Sequence, residues 1–319
     1  MNWSNTPSPS PLGIPLDNLR DALEAVDVQT TRRGNELIAQ VGHCSTRIEV
    51  LPPALRDSAN GPIKAVIQVV TDLPAPLLPI FQGREASAMA AFNAFASLGA
   101  LYREGTALRI GSRLTVYEVE DVWDALHLPL LVASTLYGSA AVFGGIRRVM
   151  TNEASHKGRS RWTAQDFMGA QRYLDQRCVC TADGLGFTAE FGLAGGTGTA
   201  MAGDTKTALF QLLADEPHLE LGGGLFCLLQ MPHRVADTQR LQRLCNQLNH
   251  MEMAPHDLPP HLGAWCPGRL GSNPAYVSFL PNELHELPGL AVNTVCWVLH
   301  RAQWADALLA SLGVSTEVE

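Results

Sequence analysis

Apolar residues recur every three to four positions from Leu16 to Val26. Leu16, Leu19, Leu23 and Val26 share one face, with Asp17, Arg20 and Asp21 on the other. That period predicts an amphipathic helix. Glu36 to Val41 and Thr46 to Leu51 are short strand-like runs, with Gly42-His43-Cys44-Ser45 as the hairpin loop between them. Pro52 and Pro53 end the second run, because proline cannot donate to a ladder. Ile63 to Val70 is β-branched and mostly apolar, interrupted by Lys64 and Gln68, as a central strand should be. Ala86 to Leu98 predicts a helix with a stripe of Met89, Phe92, Phe95 and Ala96. Ala107 to Ile110 and Leu114 to Val119 predict a second hairpin that turns at Gly111-Ser112. Val122 to about Val149 predicts a closing helix, continuous or split near Gly144-Gly145.

The succession then returns. Trp162 to Gln176 is amphipathic, with Phe167, Ala170, Tyr173 and Leu174 on one face. Strands are predicted at Gly186 to Leu193, Ala208 to Leu213 and Leu225 to Met231, and a middle helix at Gln239 to Met251. Gly263 to Cys266 and Ala275 to Phe279 predict a hairpin, and Leu290 to Leu309 a closing helix. Both halves read helix, three strands, helix, two strands, helix. Residues align as well: Phe92-Asn93-Ala94-Phe95 falls over Cys245-Asn246-Gln247-Leu248, which places Asn93 over Asn246. Leu128-Pro129-Leu130-Leu131 and Thr135 fall over Leu287-Pro288-Gly289-Leu290 and Thr294, at an offset larger by six residues, as a loop insertion would produce. The expected fold is therefore α+β: a tandem duplication of an α-β-β-β-α-β-β-α unit, antiparallel sheets with helices packed on them. The expected division is a disordered tail at 1–15, a first domain at 16–150, a linker at 151–160, a second domain at 161–311 and a tail at 312–319.

That element order, with an Asn in the middle helix and Leu-Pro near the last one, resembles the type III secretion chaperone-like fold. Within it the chain is most similar to the bacterial YbjN-type family, regarded as sensory transduction regulators. The residues that carry the resemblance are Leu244-Cys245-Asn246-x-Leu248-Asn249, the Ala275 to Phe279 strand and the Leu290 to Leu299 helix. Phe92-Asn93 and Leu114 to Val116 carry it in the first half. The resemblance implies helices on an antiparallel sheet, dimers formed through that domain, and binding of other proteins in place of turnover. In a fused chain the dimer interface becomes internal, giving a monomer with an internal pseudo-dimer, or else a homodimer of the whole chain. The resemblance supplies no catalytic residues.

Composition narrows the function classes. At 319 residues the chain is long enough for two domains, since a unit of about 150 residues buries roughly 70% of its unfolded surface. The net charge of −8 argues against nonspecific nucleic-acid binding and against an anionic membrane surface. Seven scattered cysteines make no disulfide framework, and Met1 to Pro15 has neither the basic region nor the apolar core of a secretory signal. A reducing, cytoplasmic location is the expectation. Leu128 to Ile146 carries no formal charge and approaches the length of a membrane span. Pro129, Gly138, Gly144 and Gly145 interrupt it, and a buried core helix is the expectation.

Candidate chemistry is sparse. Gly198 to Gly203 has Walker-like glycine spacing, but Asp204 and Thr205 stand before Lys206-Thr207, and an Asp there would repel phosphate. The Gly195 to Asp204 stretch therefore reads as a flexible hairpin insertion. Cys178 and Cys180 are one residue apart, which suits packing on one strand face better than a redox pair. Arg147, Arg148, Lys157, Arg159 and Arg161 gather positive charge about the linker and read as a solvated flank. His250, Glu252, His256, Asp257 and His261 crowd one stretch with Cys266 nearby. Imidazole and thiolate there could bind zinc, with His250, His256 and His261 as weak metal candidates; their spacings match no usual ligand pair. No catalytic residue, cofactor or metal site is assigned. The expectation is a non-enzymatic protein-binding chain of the chaperone, adaptor or regulator kind, with another protein as its partner. The alternative is a small-molecule or metal-binding enzyme that uses the His250–His261 loop.

Overall fold

The computed structural model describes residues 16–52, 57–58, 61–95, 98–117, 128–145, 162–175, 179–182, 186–193, 206–254, 258–268 and 271–314. The expected tail at 1–15, the linker at 151–160 with its arginines, and the Gly195 to Asp204 insertion lie outside the described residues. Those described form an α+β fold with two antiparallel sheets.

In the first half, α1 (Leu16–Glu24) is followed by β1 (Thr30–Arg33), β2 (Glu36–Val41), β3 (Cys44–Leu51), the two-residue β4 (Asp57–Ser58) and β5 (Gly61–Asp72). A 3-10 turn at Ala75–Leu77 leads to α2 (Leu78–Phe81) and α3 (Glu85–Asn93). Then come β6 (Ala100–Glu104), β7 (Ala107–Tyr117) and α4 (Leu128–Gly144). The sheet runs β1-β2-β3-β5-β7-β6, with β4 paired to β5. In the second half, α5 (Ala164–Asp175) precedes β8 (Val179–Ala182), β9 (Gly186–Gly192), β10 (Thr207–His218) and β11 (Gly222–Gln230). After these come α6 (Thr238–Glu252), β12 (Ala264–Pro267), β13 (Pro274–Pro281), a 3-10 turn at Asn282–Glu286 and α7 (Leu290–Ser311). That sheet runs β8-β9-β10-β11-β13-β12. Set aside β4, and the two strand orders are the same.

The structure corrects the expected unit in three places. Four principal strands, not three, precede the middle helix in each half. The extra ones, β1 and β8, sit at sheet edges. β1 is Thr-Thr-Arg-Arg and largely exposed, held by backbone pairing to β2, so no apolar alternation marks it. The second hairpin also turns elsewhere. Gly111-Ser112 lies within β7, which continues from Ala107 to Tyr117, and the turn falls at Gly105-Thr106 between β6 and β7. Gly105 has a φ of 59°, which suits glycine. Gly111 instead lacks a side chain because Tyr102 and Met253 lie over it, and a Cβ would meet Met253 Cε at 2.8 Å. Finally, the middle helix of the first half stops at Asn93 and not near Leu98.

Asn93 shows why it stops there. Its Nδ2 donates to the Leu101 carbonyl at 2.9 Å, and its Oδ1 accepts from the Leu101 N–H at 2.8 Å. The amide acts as a further strand along the free edge of β6. In the second half the same two bonds join Asn249, not Asn246, to Trp265 on β12, at 2.9 and 2.6 Å. The aligned position is therefore shifted by one helical turn. Ser112 in β7 donates to the Leu98 carbonyl, and Ser278 in β13 donates to the Leu262 carbonyl. Asn246 Oδ1 is buried without a hydrogen-bond partner among the described residues.

One apolar core runs through both halves, from Leu16 and Leu23 in α1 through Leu136 in α4 to Leu309 in α7. α4, apolar on every side, is buried against α1, β2, β3 and β5 and touches the Asn282–Glu286 turn of the other half. Its hydroxyls are satisfied within the helix, Thr135 donating to Leu131 O at 2.8 Å and Ser139 to Thr135 O at 2.9 Å. Among the described residues no helix is long and apolar enough to cross a membrane. The chain also stays packed to Val314, which is buried and donates its N–H to Leu309 O at 3.0 Å. Residues 312–314 of the expected tail thus pack on α7, and 315–319 lie outside the described residues.

Between the halves the contacts are reciprocal: α3 meets α6, α6 meets β6, α3 meets β12, and β6 meets β12. The pattern is that of an isologous interface. Asn93→Ala and Asn249→Ala should each destabilise the chain by about 2–3 kcal/mol, because a buried strand N–H and C=O lose their partners. Asn246→Leu should be neutral or slightly stabilising. Urea denaturation of the three variants checks this, and equal losses at Asn246 and Asn249 would contradict the assignment.

Candidate functional site

The stretch richest in candidate ligands runs from the end of α6 toward β12, and its described residues after Glu252, 253–254 and 258–263, form no helix or strand. Pro259 and Pro260 have no N–H to offer, so the segment cannot pair as a strand, and its buried carbonyls need donors from elsewhere. Two arginines supply them. Arg113, on β7 of the first half, is fully buried. It donates from Nε to Glu252 O at 2.7 Å, from Nη1 to Leu258 O at 3.0 Å and to Thr115 Oγ1 at 2.8 Å, and from Nη2 to Pro259 O at 2.8 Å. Thr115 Oγ1 in turn donates to Leu258 O at 2.6 Å. Arg301, on α7, donates from Nη2 to Pro260 O at 2.9 Å and grips the Glu252 carboxylate at 2.6 and 3.2 Å.

Glu252 ends α6 and is wholly buried. Besides Arg301 it accepts from Trp265 Nε1 at 3.1 Å, and its Oε2 lies 3.6 Å from His261 Nδ1 and 4.0 Å from Arg113 Nη2. Burial alone would raise its pKa. The charges of Arg301, His261 and Arg113 outweigh that and hold it at about 2. Burial pulls Arg113 down to about 10, because its own contact with the carboxylate is distant. Arg301, in direct contact with Glu252, is pushed upward in spite of burial. Its guanidinium also sits 4.2 Å from the centre of the Tyr276 ring, a cation–π contact. The backbone completes the seam: Arg113 N–H donates to His261 O at 3.2 Å, and His261 N–H to Arg113 O at 2.7 Å. Gln68 of β5 donates to the Met253 carbonyl.

This geometry does not bring the weak metal candidates together. His261 is buried against Glu252 and Tyr276, whereas His250 is exposed with its ring 6.1 Å from Tyr102. His256 lies outside the described residues. Among the described residues no group of His, Cys, Asp or Glu is placed to hold a metal ion. The cavity beside Arg301 and Tyr276 measures about 10 Å³, room for a water molecule at most. Burial raises the thiols of Cys227 and Cys266 to about 12, which keeps both protonated and unreactive. The cluster closes the interface between the halves and offers a substrate no entry.

An accessible concavity lies elsewhere. A groove of about 850 Å³ opens between the β2–β3 turn, the proline-rich turn after β5 and the last two turns of α4. Val41 and Cys44 line one wall, Pro74, Pro76 and Leu77 the second, and Tyr137, Ala141 and Phe143 the third. The prolines hold their wall without free N–H groups, and Tyr137 is fixed by donating to Asp27 O at 3.0 Å. At this rim Tyr137 is 42% exposed, and Leu78, next to the lining Leu77, is 45% exposed; Met168 and Leu312, away from the groove, are exposed as well. No local pattern along the chain marks the groove, because its walls come together from three separated segments. No protein-family model, curated protein or solved structure matches this chain.

The buried cluster predicts a pH dependence. Glu252 titrates near 2 in the folded chain against 4.5 ordinarily, so its stabilisation is complete above pH 4.5 and is lost as pH falls toward 2. The loss is on the order of 3 kcal/mol. Denaturation midpoints between pH 7 and 2 should show it, with the decline reduced in Glu252→Gln. Arg113→Met should destabilise by about 3–5 kcal/mol, since it strips carbonyls and carboxylate of a buried partner. Arg113→Lys should rescue little of this, because an ammonium cannot span the same acceptors.

Proposed function

We propose that this chain is a non-enzymatic protein-binding molecule of the chaperone, adaptor or regulator kind, acting in the cytoplasm. The observation that carries the reading is the apolar groove with the exposed Tyr137 in its lining. Its volume lies within the range of binding sites, and contiguous exposed apolar surface marks interaction sites. The closed charge cluster supports the same reading, since its donors are turned onto backbone carbonyls and Glu252.

We further propose that the two halves are copies of one unit related to the type III secretion chaperone-like and YbjN-type proteins, each extended by an edge strand. The shared strand order, the paired Asn93 and Asn249 bonds, and the Ser112 and Ser278 bonds support this. The reciprocal contacts between the halves then take the place of a homodimer interface. Light scattering on the purified chain should return one copy, 34.4 kDa. Twice that mass, persisting on dilution, would sink the internal pseudo-dimer.

The groove is tested with a permanently unfolded polypeptide, reduced and carboxymethylated lactalbumin, titrated against the whole chain. Gly144→Trp is the blocking variant. Gly144 lines the groove on α4, and a Cβ there meets nothing within 4 Å, so the fold tolerates the change. Binding should weaken by about tenfold or more in the variant, equivalent to about 1.4 kcal/mol. No binding by the parent chain, or equal binding by the variant, would overturn the proposal.

A further inference from the structure

The molecule itself shows what the apolar surface beneath this groove accepts. Cys44, Leu73, Leu77, Phe81, Ala140 and Phe143 belong to one cluster in the first half. On one side the cluster is covered by the tip of the β10–β11 hairpin, which belongs to the second half. Leu219 and Leu221 of that tip pack into it, and Leu221 also approaches Gly138 of α4. Glu220, between them, lies against Gly145 at the end of α4. His218 shapes the tip: its Nδ1 accepts from the Glu220 and Leu221 N–H groups at 3.1 Å each. On its other side the same cluster is open, and Cys44, Leu77, Ala140 and Phe143 line the groove.

We propose that the groove takes a partner segment built like that tip, with two large aliphatic side chains one residue apart and a polar residue between them. This rests on the reading of the groove as a docking site and specifies what docks. The argument is continuity with an interface the chain already makes: one apolar surface, covered in part by Leu219 and Leu221, leaves the part that lines the groove for a second pair. Two side chains separated by one residue reach the same side of an extended segment, and in the tip the polar residue between them, Glu220, is turned away to the end of α4 against Gly145. No lining residue carries a fixed charge; His43, Cys44 and Tyr137 are the titratable ones. A charged anchor is therefore excluded, and specificity comes from the spacing of apolar side chains.

The test is a selection of short random peptides displayed on phage against the whole chain, with Gly144→Trp as the counter-target. Peptides that bind the parent chain and lose about tenfold against the variant should carry Leu, Ile, Met or Val one residue apart. Replacing either aliphatic residue by Ser in a synthetic consensus peptide should weaken binding by a similar factor. Groove-dependent peptides with aliphatic residues three and four apart, the helical spacing, would overturn this inference and leave the docking site standing. Peptides whose binding ignores Gly144→Trp, or none at all, would overturn both.

Discussion

The guanidinium of Arg113 is what the arrangement of the two halves depends on. It leaves the sheet of the first half and ends among the carbonyls of Glu252, Leu258 and Pro259 in the second. A connector with two consecutive prolines cannot satisfy those carbonyls itself, and water does not reach them. Buried ion networks add little net stability over an apolar core of equal volume, because desolvation cancels most of the attraction. What they do well is exclude alternatives. Any other packing of the halves would leave Arg113 or Glu252 buried and unpaired, at several kcal/mol each. The cluster thus fixes one orientation between two surfaces whose remaining contacts are apolar and less directional.

This explains which parts of the fold were legible in the sequence. Helices and central strands were, because the periods of Leu16 to Leu23 or the β-branched run Ile63 to Val70 are set by burial, which sequence pattern records. β1 was not, since its four polar residues are held by backbone pairing to β2 and by the ion pair of Arg32 with Asp17, neither of which leaves an apolar pattern. Gly111-Ser112 read as a turn, although the glycine is there to admit Tyr102 and Met253 and the serine to reach Leu98. The slip from Asn249 to Asn246 has a similar cause. A shift of one helical turn keeps every apolar position on its face, so the pattern cannot distinguish the two registers.

The site was less legible than the fold. The crowd of histidines about 250–261 marked an important segment for the wrong reason: it is where the halves are locked, and the decisive residues were Arg113 and Arg301. Nothing in the local sequence distinguishes either from a surface arginine. Arg113 lies 139 residues before the glutamate whose carbonyl it binds, and Arg301 stands on a helix among apolar neighbours. The groove, assembled from three segments, left no trace in any one of them.

The two halves hold each other from matching places by opposite means. Arg113 follows Ser112 in β7, and its polar contacts fasten the connector of the second half. Phe279 follows Ser278 in β13, and its ring lies 4.9 Å from that of His218, the residue that organises the hairpin tip docked on the first half. One lock is ionic and closed to solvent; the other is apolar and covers only part of its seat. Only the second can leave apolar surface uncovered. A charge cluster must be fully satisfied or it destabilises the core, whereas an apolar cluster tolerates an open margin. The groove lies at that margin, because there an interface between the halves can remain incomplete without leaving a buried charge unpaired.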